Sequence, residues 1–160
     1  MALIGIDELR DGLKPSQPLI GVDLGDKTLG IALSDTRRKI ATALKTIRRT
    51  TFVKDANELV NLIEEFNVGG IVMGMPYHMN GSEGDRCKIT RAFVRRFGDM
   101  CEIPVVLWDE RCTTKAVTQL FLEGDLSRAK RGMIVDKVAA SFMLQGALDY
   151  LSDTSGASFL

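Results

Sequence analysis

Residues 19–34 read LIGVDLGDKTLGIALS, two apolar runs separated by a short polar segment that contains glycine. This pattern predicts two strands, at 19–24 and 29–33, joined by a tight turn. Asp23 interrupts the first apolar run. An ionised carboxylate in a buried strand is unfavourable unless it is hydrogen-bonded, paired or bound to a cation, so Asp23 is a candidate functional residue.

The remaining hydrophobic pattern predicts an α/β fold in which helices and strands alternate after three initial strands. The further predicted strands are 40–47, 68–73 and 105–108, and the predicted helices are 53–66, 85–100, 114–122 and 133–151. A basic loop is expected at 123–132. On the 85–100 helix the apolar residues expected to face inward are Ile89, Ala92, Phe93, Phe97 and Met100.

Length and composition predict one compact domain. The 160 residues are 45% apolar, enough for a core without disulfides. We expect an N-terminal extension at 1–18, interrupted by Pro15 and Pro18, a domain at 19–151 and a C-terminal tail at 152–160. The chain lacks an apolar run of about 20 residues and a signal-peptide pattern, so we expect a cytosolic protein without membrane contact.

Charged and sulfur-containing residues narrow the possible functions. Three cysteines without a C-x-x-C pair and a single histidine, His78, argue against zinc or disulfide frameworks. His78 itself is interpreted as a surface residue. Lys+Arg and Asp+Glu both total 21, so any nucleic-acid surface has to be local.

Two further acidic positions fall where sites are common in α/β proteins. Asp109 and Glu110 end the predicted strand 105–108, at the sheet edge that often binds ligands. Asp136 lies near the start of the last predicted helix, beside small residues that permit a close approach to a sheet. Carboxylate oxygens are preferred ligands of Mg²⁺ and Mn²⁺. Adjacent residues of a strand point to opposite sides, and we favour Glu110 as the ligand, with Asp109 in a supporting or capping role.

Each of these acids also has a simpler interpretation. Asp23 suits a cap of the turn before Gly25, and Asp136 suits the first turn of a helix, where the helix dipole favours a carboxylate.

Four motifs in register resemble those of the YqgF family of Holliday-junction resolvases and ribosomal-RNA precursor nucleases. They are Gly21-Val22-Asp23-Leu24-Gly25-Asp26-Lys27 with Gly30 and Ser34-Asp35; Gly74-Met75-Pro76 with Gly81; Asp109-Glu110-Arg111-Cys112-Thr113-Thr114; and Asp136-Lys137-Val138-Ala139-Ala140 with Leu144-Gln145. The resemblance spans 19–151. This chain departs from the family pattern at Met75 and Cys112, where members usually carry another apolar residue.

The resemblance implies a ribonuclease H-like fold, a mixed five-stranded sheet flanked by helices. It also implies that Asp23, Glu110 and Asp136 hold divalent cations, Mg²⁺ or Mn²⁺, with Asp23 bridging two ions about 3.5 to 4 Å apart. Expected substrate contacts are Lys27, Arg111, Thr113, Arg128, Lys130 and Arg131. Thr113 suits a helix cap equally well, and Lys27 suits a solvated turn.

The function expected from this resemblance is metal-dependent hydrolysis of structured nucleic acid, at the 5′ end of pre-16S rRNA or in branched junction DNA. The residues do not distinguish these substrates, nor a monomer from a homodimer, although a twofold dimer suits a four-way junction. An actin-like ATPase needs two such domains, and 160 residues accommodate one. A non-catalytic RNA-binding module is the remaining alternative.

Overall fold

The computed structural model of the protein describes residues 2–111 and 128–156. In chain order its strands and helices are β1 (Ala2–Leu3), α1 (Ile6–Gly12), β2 (Leu19–Leu24), β3 (Thr28–Ser34), β4 (Ala41–Arg48), α2 (Phe52–Glu65), β5 (Gly70–Met75), α3 (Asp85–Gly98), β6 (Pro104–Asp109) and α4 (Arg128–Gly156). None of the described helices is both long and apolar enough to cross a bilayer.

The strands form one mixed sheet in the order β1-β6-β5-β2-β3-β4. Strands β2, β3 and β4 are antiparallel neighbours, whereas β5 and β6 extend the sheet parallel to β2. The predicted five-stranded mixed sheet, β2 to β6, is therefore confirmed. The short strand β1 adds a sixth member at the edge through Ala2 and Leu3, which the sequence pattern did not indicate.

Apolar side chains fill both faces of the sheet. Helices α2 and α3 cover one face, where residues such as Ile20, Val22 and Ile71 form the core. Helices α1 and α4 cover the other face, where Leu19 and Val72 are fully buried. Because side chains alternate along a strand, Asp23 shares the α4 face with Leu19 and lies opposite the face of Val22.

The inward face of α3 differs from the predicted one. Phe93 and Phe97 are buried as expected, but Ile89 is 47% and Met100 is 40% exposed. The buried arc instead includes Cys87, Thr90 and Val94. Steps of three and four residues from Cys87 keep one helix face, and Ile89 falls off that face. Met100 lies beyond the end of the helix at Gly98.

The last helix was predicted to begin at Met133, and this start is wrong. It begins at Arg128 and extends to Gly156. Arg, Ala and Lys are good helix formers, so the basic segment that resembled a loop continues the helix despite Gly132. The predicted helix 114–122 lies outside the described residues. Strand β5 also begins two residues later than predicted, at Gly70 rather than Val68.

Candidate active site

The site lies at the edge of the sheet where the parallel strands β2, β5 and β6 end. Asp23 is the penultimate residue of β2, and Glu110 directly follows β6. The backbone N–H of Glu110 donates to the Met75 carbonyl at 3.3 Å, which ties the chain after β6 to the end of β5. The fold thus brings together two of the three predicted carboxylates.

Asp23 and Glu110 form a hydrogen-bonded acid pair in which Glu110 donates to Asp23. Burial, followed by the charge of Asp23, raises the pKa of Glu110 to about 8. Burial also raises the pKa of Asp23, and the negative charge of Asp136 acts in the same direction. The pair therefore holds a proton at neutral pH, because two adjacent buried carboxylates do not both ionise without a compensating cation.

Two glycines make room for this arrangement on the α4 face. A Cβ on Gly30 would lie 2.5 Å from the carbonyl carbon of Asp136 and 3.1 Å from the Lys137 nitrogen. A Cβ on Gly74 would lie 3.2 Å from Cδ of Glu110 and 2.7 Å from the sulfur of a methionine on α4. Close approach of α4 to the sheet therefore depends on missing side chains in the strands, besides the small residues of the helix itself.

Asp136 is held by a residue that the sequence did not single out. The Thr28 hydroxyl, at the start of β3, donates a short hydrogen bond to Oδ2 of Asp136. Asp23 pairs with Gly30 across the β2–β3 ladder, and Gly30 in turn contacts the backbone of Asp136. All three predicted carboxylates therefore converge on one region, with Asp136 oriented by Thr28. No local pattern distinguishes such a threonine from any other strand residue.

Arg86, in the first turn of α3, is a second residue that sequence reasoning missed. Its guanidinium donates to Oδ2 of Asp26 at 3.3 Å and to the Leu24 carbonyl at 3.4 Å. Its positive charge lowers the pKa of both Asp23 and Glu110, although burial outweighs this effect. Arg86 is not among the residues expected to face inward on the predicted 85–100 helix. An arginine in a first helical turn is ordinary, so only the fold shows that it faces the end of β2.

The other predicted contacts differ in their placement. Asp109 caps the turn that follows β6, accepting from the backbone N–H and Nε of Arg111 at 2.9 and 2.8 Å, and these bonds lower its pKa. Arg111 also donates to the Met79 carbonyl at 3.4 Å, and Lys27 is exposed in the β2–β3 turn. His78 is exposed and lies against Gly84. Thr113 and the side chains of the predicted contacts on α4, Arg128, Lys130 and Arg131, lie outside the described residues.

The donor set suits a hard divalent cation, since it consists of carboxylate oxygens only. In the present arrangement, however, no group of three or more His, Cys, Asp or Glu side chains in residues 2–111 and 128–156 is placed to hold a metal ion. Asp23 and Glu110 share a proton where a cation would compensate both charges. Asp136 lies beside them, with its Oδ2 held by the Thr28 hydroxyl.

The fold matches two solved resolvase structures at low sequence identity. Thermus thermophilus RuvC, solved with a Holliday junction substrate, is 12% identical with a TM-score of 0.53, covering 88% of this chain and 96% of RuvC. The yeast mitochondrial Holliday junction resolvase Ydc2 is 13% identical with a TM-score of 0.54, covering 97% of this chain and 90% of Ydc2. These likenesses confirm the predicted ribonuclease H-like fold.

Sequence relatives are much closer. A protein of Beijerinckia indica named "Putative pre-16S rRNA nuclease" is 52% identical over 145 residues, covering 91% of this chain and 88% of the relative. A protein of Rhizobium meliloti with the same name is 47% identical over 159 residues, covering 99% and 96%. The family model described as "RuvX: Holliday junction resolvase" matches residues 17–150. The chain therefore belongs to the RuvX family, the family that its four motifs resembled.

Proposed function

We propose that this protein is a nuclease that hydrolyses phosphodiester bonds in structured nucleic acid, with the 5′ end of pre-16S rRNA as its substrate. The observation that carries the proposal is the half-buried acid pair Asp23–Glu110, with Asp136 beside it on α4. The names of the relatives, at 47 to 52% identity over most of the chain, support the choice of substrate.

We further propose that Asp23, Glu110 and Asp136 hold Mg²⁺ or Mn²⁺. When bound, such a cation polarises a phosphoryl oxygen and lowers the pKa of a coordinated water. To hold the cation, Asp23 and Glu110 would both be ionised, so that two negative charges faced it. Asp136 would complete the set, oriented by the Thr28 hydroxyl on its Oδ2.

Substrate contacts in this proposal come from cations near the carboxylates. Arg86 presents its guanidinium beside Asp23, where N–H donors suit a non-bridging phosphate oxygen. Lys27 and Arg111 are exposed in segments that follow β2 and β6 and suit neighbouring phosphates. Thr113, Arg128, Lys130 and Arg131 remain predicted contacts.

Resolution of Holliday junctions is the second candidate function. The description of the family model supports it, since it names a Holliday junction resolvase. The same carboxylates would perform the same hydrolysis, so the two functions differ in the shape of the substrate. Two symmetric cuts require two symmetric sites, so a junction resolvase is expected to act as a twofold dimer.

The test compares cleavage of labelled pre-16S rRNA and of a four-way DNA junction, with Mg²⁺, with Mn²⁺ and with a chelator. Asp23→Asn and Asp136→Asn are expected to abolish cleavage. Asp149→Asn, an exposed aspartate on the same helix as Asp136, is the matched control and is expected to retain it. The preferred substrate decides between the two functions. Binding without cleavage under every cation condition would contradict the catalytic proposal and favour the RNA-binding module.

A further inference from the structure

A basic cavity lies at the end of the sheet opposite the carboxylates. It encloses about 200 Å³ between α1, the β3–β4 turn and the last turns of α4. Four of its lining residues are cations, Arg10, Arg37, Arg38 and Lys39, and none is an acid. The whole chain has no net charge, so this concentration of positive charge is local. We call it the distal cavity.

The turn that carries three of these cations is rigidly built. Oδ1 of Asp35 accepts from the backbone N–H groups of Lys39 and Ile40 at 2.7 and 3.0 Å. Arg38 adopts a left-handed φ of 56°, which is unfavourable for a residue with a side chain. Its guanidinium compensates by donating to the Gln17 carbonyl at 2.7 Å and the Lys14 carbonyl at 3.3 Å. These bonds hold the backbone of the turn and the Arg38 guanidinium in place within the protein itself.

The partners of these cations leave most of the positive charge uncompensated. Arg38 bonds to carbonyls, and Nζ of Lys39 donates to the Ser152 hydroxyl at 3.0 Å, so neither forms an ion pair with a described carboxylate. Arg10 pairs with Asp7, but its Nε is buried without a hydrogen-bond partner among the described residues. A buried N–H without a partner favours an acceptor from a ligand or a water molecule.

Further cations connect the distal cavity with the carboxylate end. Strand β4 forms the edge of the sheet and runs from the β3–β4 turn back toward Thr28, which pairs with Arg48. Lys45 lies midway along it, in an exposed 3.7 Å pair with Glu58. Arg49, just past the strand, donates to the Gly25 carbonyl beside the carboxylates at 2.8 Å and pairs with the buried Asp55 of α2 at 3.9 Å. Cations therefore recur along one edge from one end of the sheet to the other, although Lys45 and Arg49 are each paired with an acid of α2.

We propose that the distal cavity binds the phosphate backbone of a double-helical arm of the nucleic acid substrate, with β4 as the path from the carboxylates. A regular polyanion fits better than an acidic protein segment because the cations of the cavity are followed by further cations along the β4 edge. Arginine forks also match phosphate oxygens in geometry. The inference rests on the proposed function in one respect, namely that the enzyme's substrate is the polyanion.

The geometry sets the length of arm required. Asp136 and Ser152 lie on one continuous helix, sixteen residues apart, and at 1.5 Å per residue this separation is about 24 Å. B-form DNA rises about 3.4 Å per base pair and the A-form duplex of RNA only about 2.8 Å, so about nine base pairs of RNA span the distance. Shorter arms reach the carboxylates but not the distal cavity.

The test measures the affinity of Asp23→Asn protein for labelled RNA hairpins with arms of 4, 8, 12 and 16 base pairs, at several salt concentrations. Affinity is expected to increase about tenfold once the arm exceeds about nine base pairs. Adding Arg37→Ala and Lys39→Ala is expected to remove this increase and to leave the affinity for the four-base-pair hairpin unchanged. For the longer hairpins, the slope of log affinity against log salt concentration should become smaller by about 2. Both side chains are exposed, so the fold is expected to persist.

The matched control, Arg37→Lys with Lys39→Arg, keeps both charges and is expected to keep the dependence on arm length. Equal weakening at every arm length would overturn the proposal, because it would indicate only a general loss of charge. If polyglutamate displaces the sixteen-base-pair hairpin as effectively as the unlabelled hairpin does, at equal concentrations of negative charge, the cavity does not select a phosphate backbone and the proposal is overturned. Cleavage of the same hairpins by protein with intact Asp23 separates the nuclease proposal from the proposed distal contact. If the hairpins are cleaved but affinity does not depend on arm length, only the distal contact is refuted.

Discussion

Replacing Gly30 with alanine tests whether α4 is held against β3 at the site. The new Cβ would lie 2.5 Å from the carbonyl carbon of Asp136, whereas carbon atoms in contact are normally at least about 3.5 Å apart. The helix therefore has to retreat by roughly 1 Å and takes Asp136 with it. A displacement of this size costs about 100-fold in the rate of a positioned reaction, and overpacking costs about 1 to 3 kcal/mol of stability.

The matched control is Gly146→Ala, a substitution of a glycine on α4 itself. A Cβ there would lie 3.5 Å from Nε1 of Trp108, an ordinary contact, so the substitution is expected to preserve activity. It should raise stability by about 0.5 to 1 kcal/mol, because alanine favours a helix interior over glycine.

The assay combines cleavage of the preferred substrate at saturating Mg²⁺ with thermal unfolding followed by circular dichroism. Gly30→Ala should lower the unfolding midpoint by roughly 3 to 10 °C and still give a folded protein at 20 °C. A folded Gly30→Ala protein that cleaves within threefold of the wild-type rate would refute the reasoning. That result would mean that the separation of α4 from β3 does not control the site.

Three further predictions concern single side chains of the site. Glu110→Gln replaces a carboxyl group, whose pKa in the folded protein is raised from 4.5 to about 8, with a neutral amide. The raised pKa stabilises the folded wild-type protein fully below pH 4.5, and this stabilisation is lost as the pH rises through about 8. Urea unfolding in the presence of a chelator should therefore give equal free energies of unfolding for both proteins near pH 5. Above pH 8 the variant should be more stable than the wild type, by at most about 5 kcal/mol. Free energies of unfolding that change in parallel with pH in the two proteins would contradict this. Thr28→Val removes the hydroxyl that donates to Asp136 and should raise the Mg²⁺ concentration for half-maximal cleavage by about tenfold. Thr28→Ser keeps the hydroxyl and should keep the wild-type Mg²⁺ requirement. An unchanged Mg²⁺ requirement in Thr28→Val would show that Thr28 does not orient Asp136. Arg86→Ala should lower kcat/KM at least tenfold with stability changed by less than about 1 kcal/mol, because its ion pair with Asp26 is exposed, and a loss of stability without a loss of rate would make Arg86 structural.

The elements of the sheet were predictable because their signal is local. Alternating and continuous apolar runs identified β2 at its observed bounds and β3, β4 and β6 to within one or two residues. The start of α4 was not predictable in this way. A basic segment with a glycine has the composition of a loop, and it becomes helical as an extension of a helix that tertiary packing stabilises.

The site was predictable in its acids and not in their partners. Asp23 and Glu110 stand out because each is an acid at the end of an apolar strand, and a charge there requires an explanation. Thr28 and Arg86 carry no such signal, since a threonine in a strand and an arginine in a first helical turn are ordinary. Their contacts with Asp136 and Asp26 cross 108 and 60 residues of sequence, so only the fold brings them into contact.

The chain has no net charge, and the fold separates its acids and bases in space. The three carboxylates repel a polyanion at the point where cleavage has to occur, and a proton shared by Asp23 and Glu110 relieves only part of that repulsion. A cation that compensates both charges makes the approach of a phosphate favourable there. Arg38 and Lys39 of the distal cavity need no such ligand, because they bond to carbonyls and a hydroxyl and keep their charge. In the proposed enzyme, long-range attraction of the substrate and chemistry at its phosphate therefore belong to opposite ends of the same helix, α4.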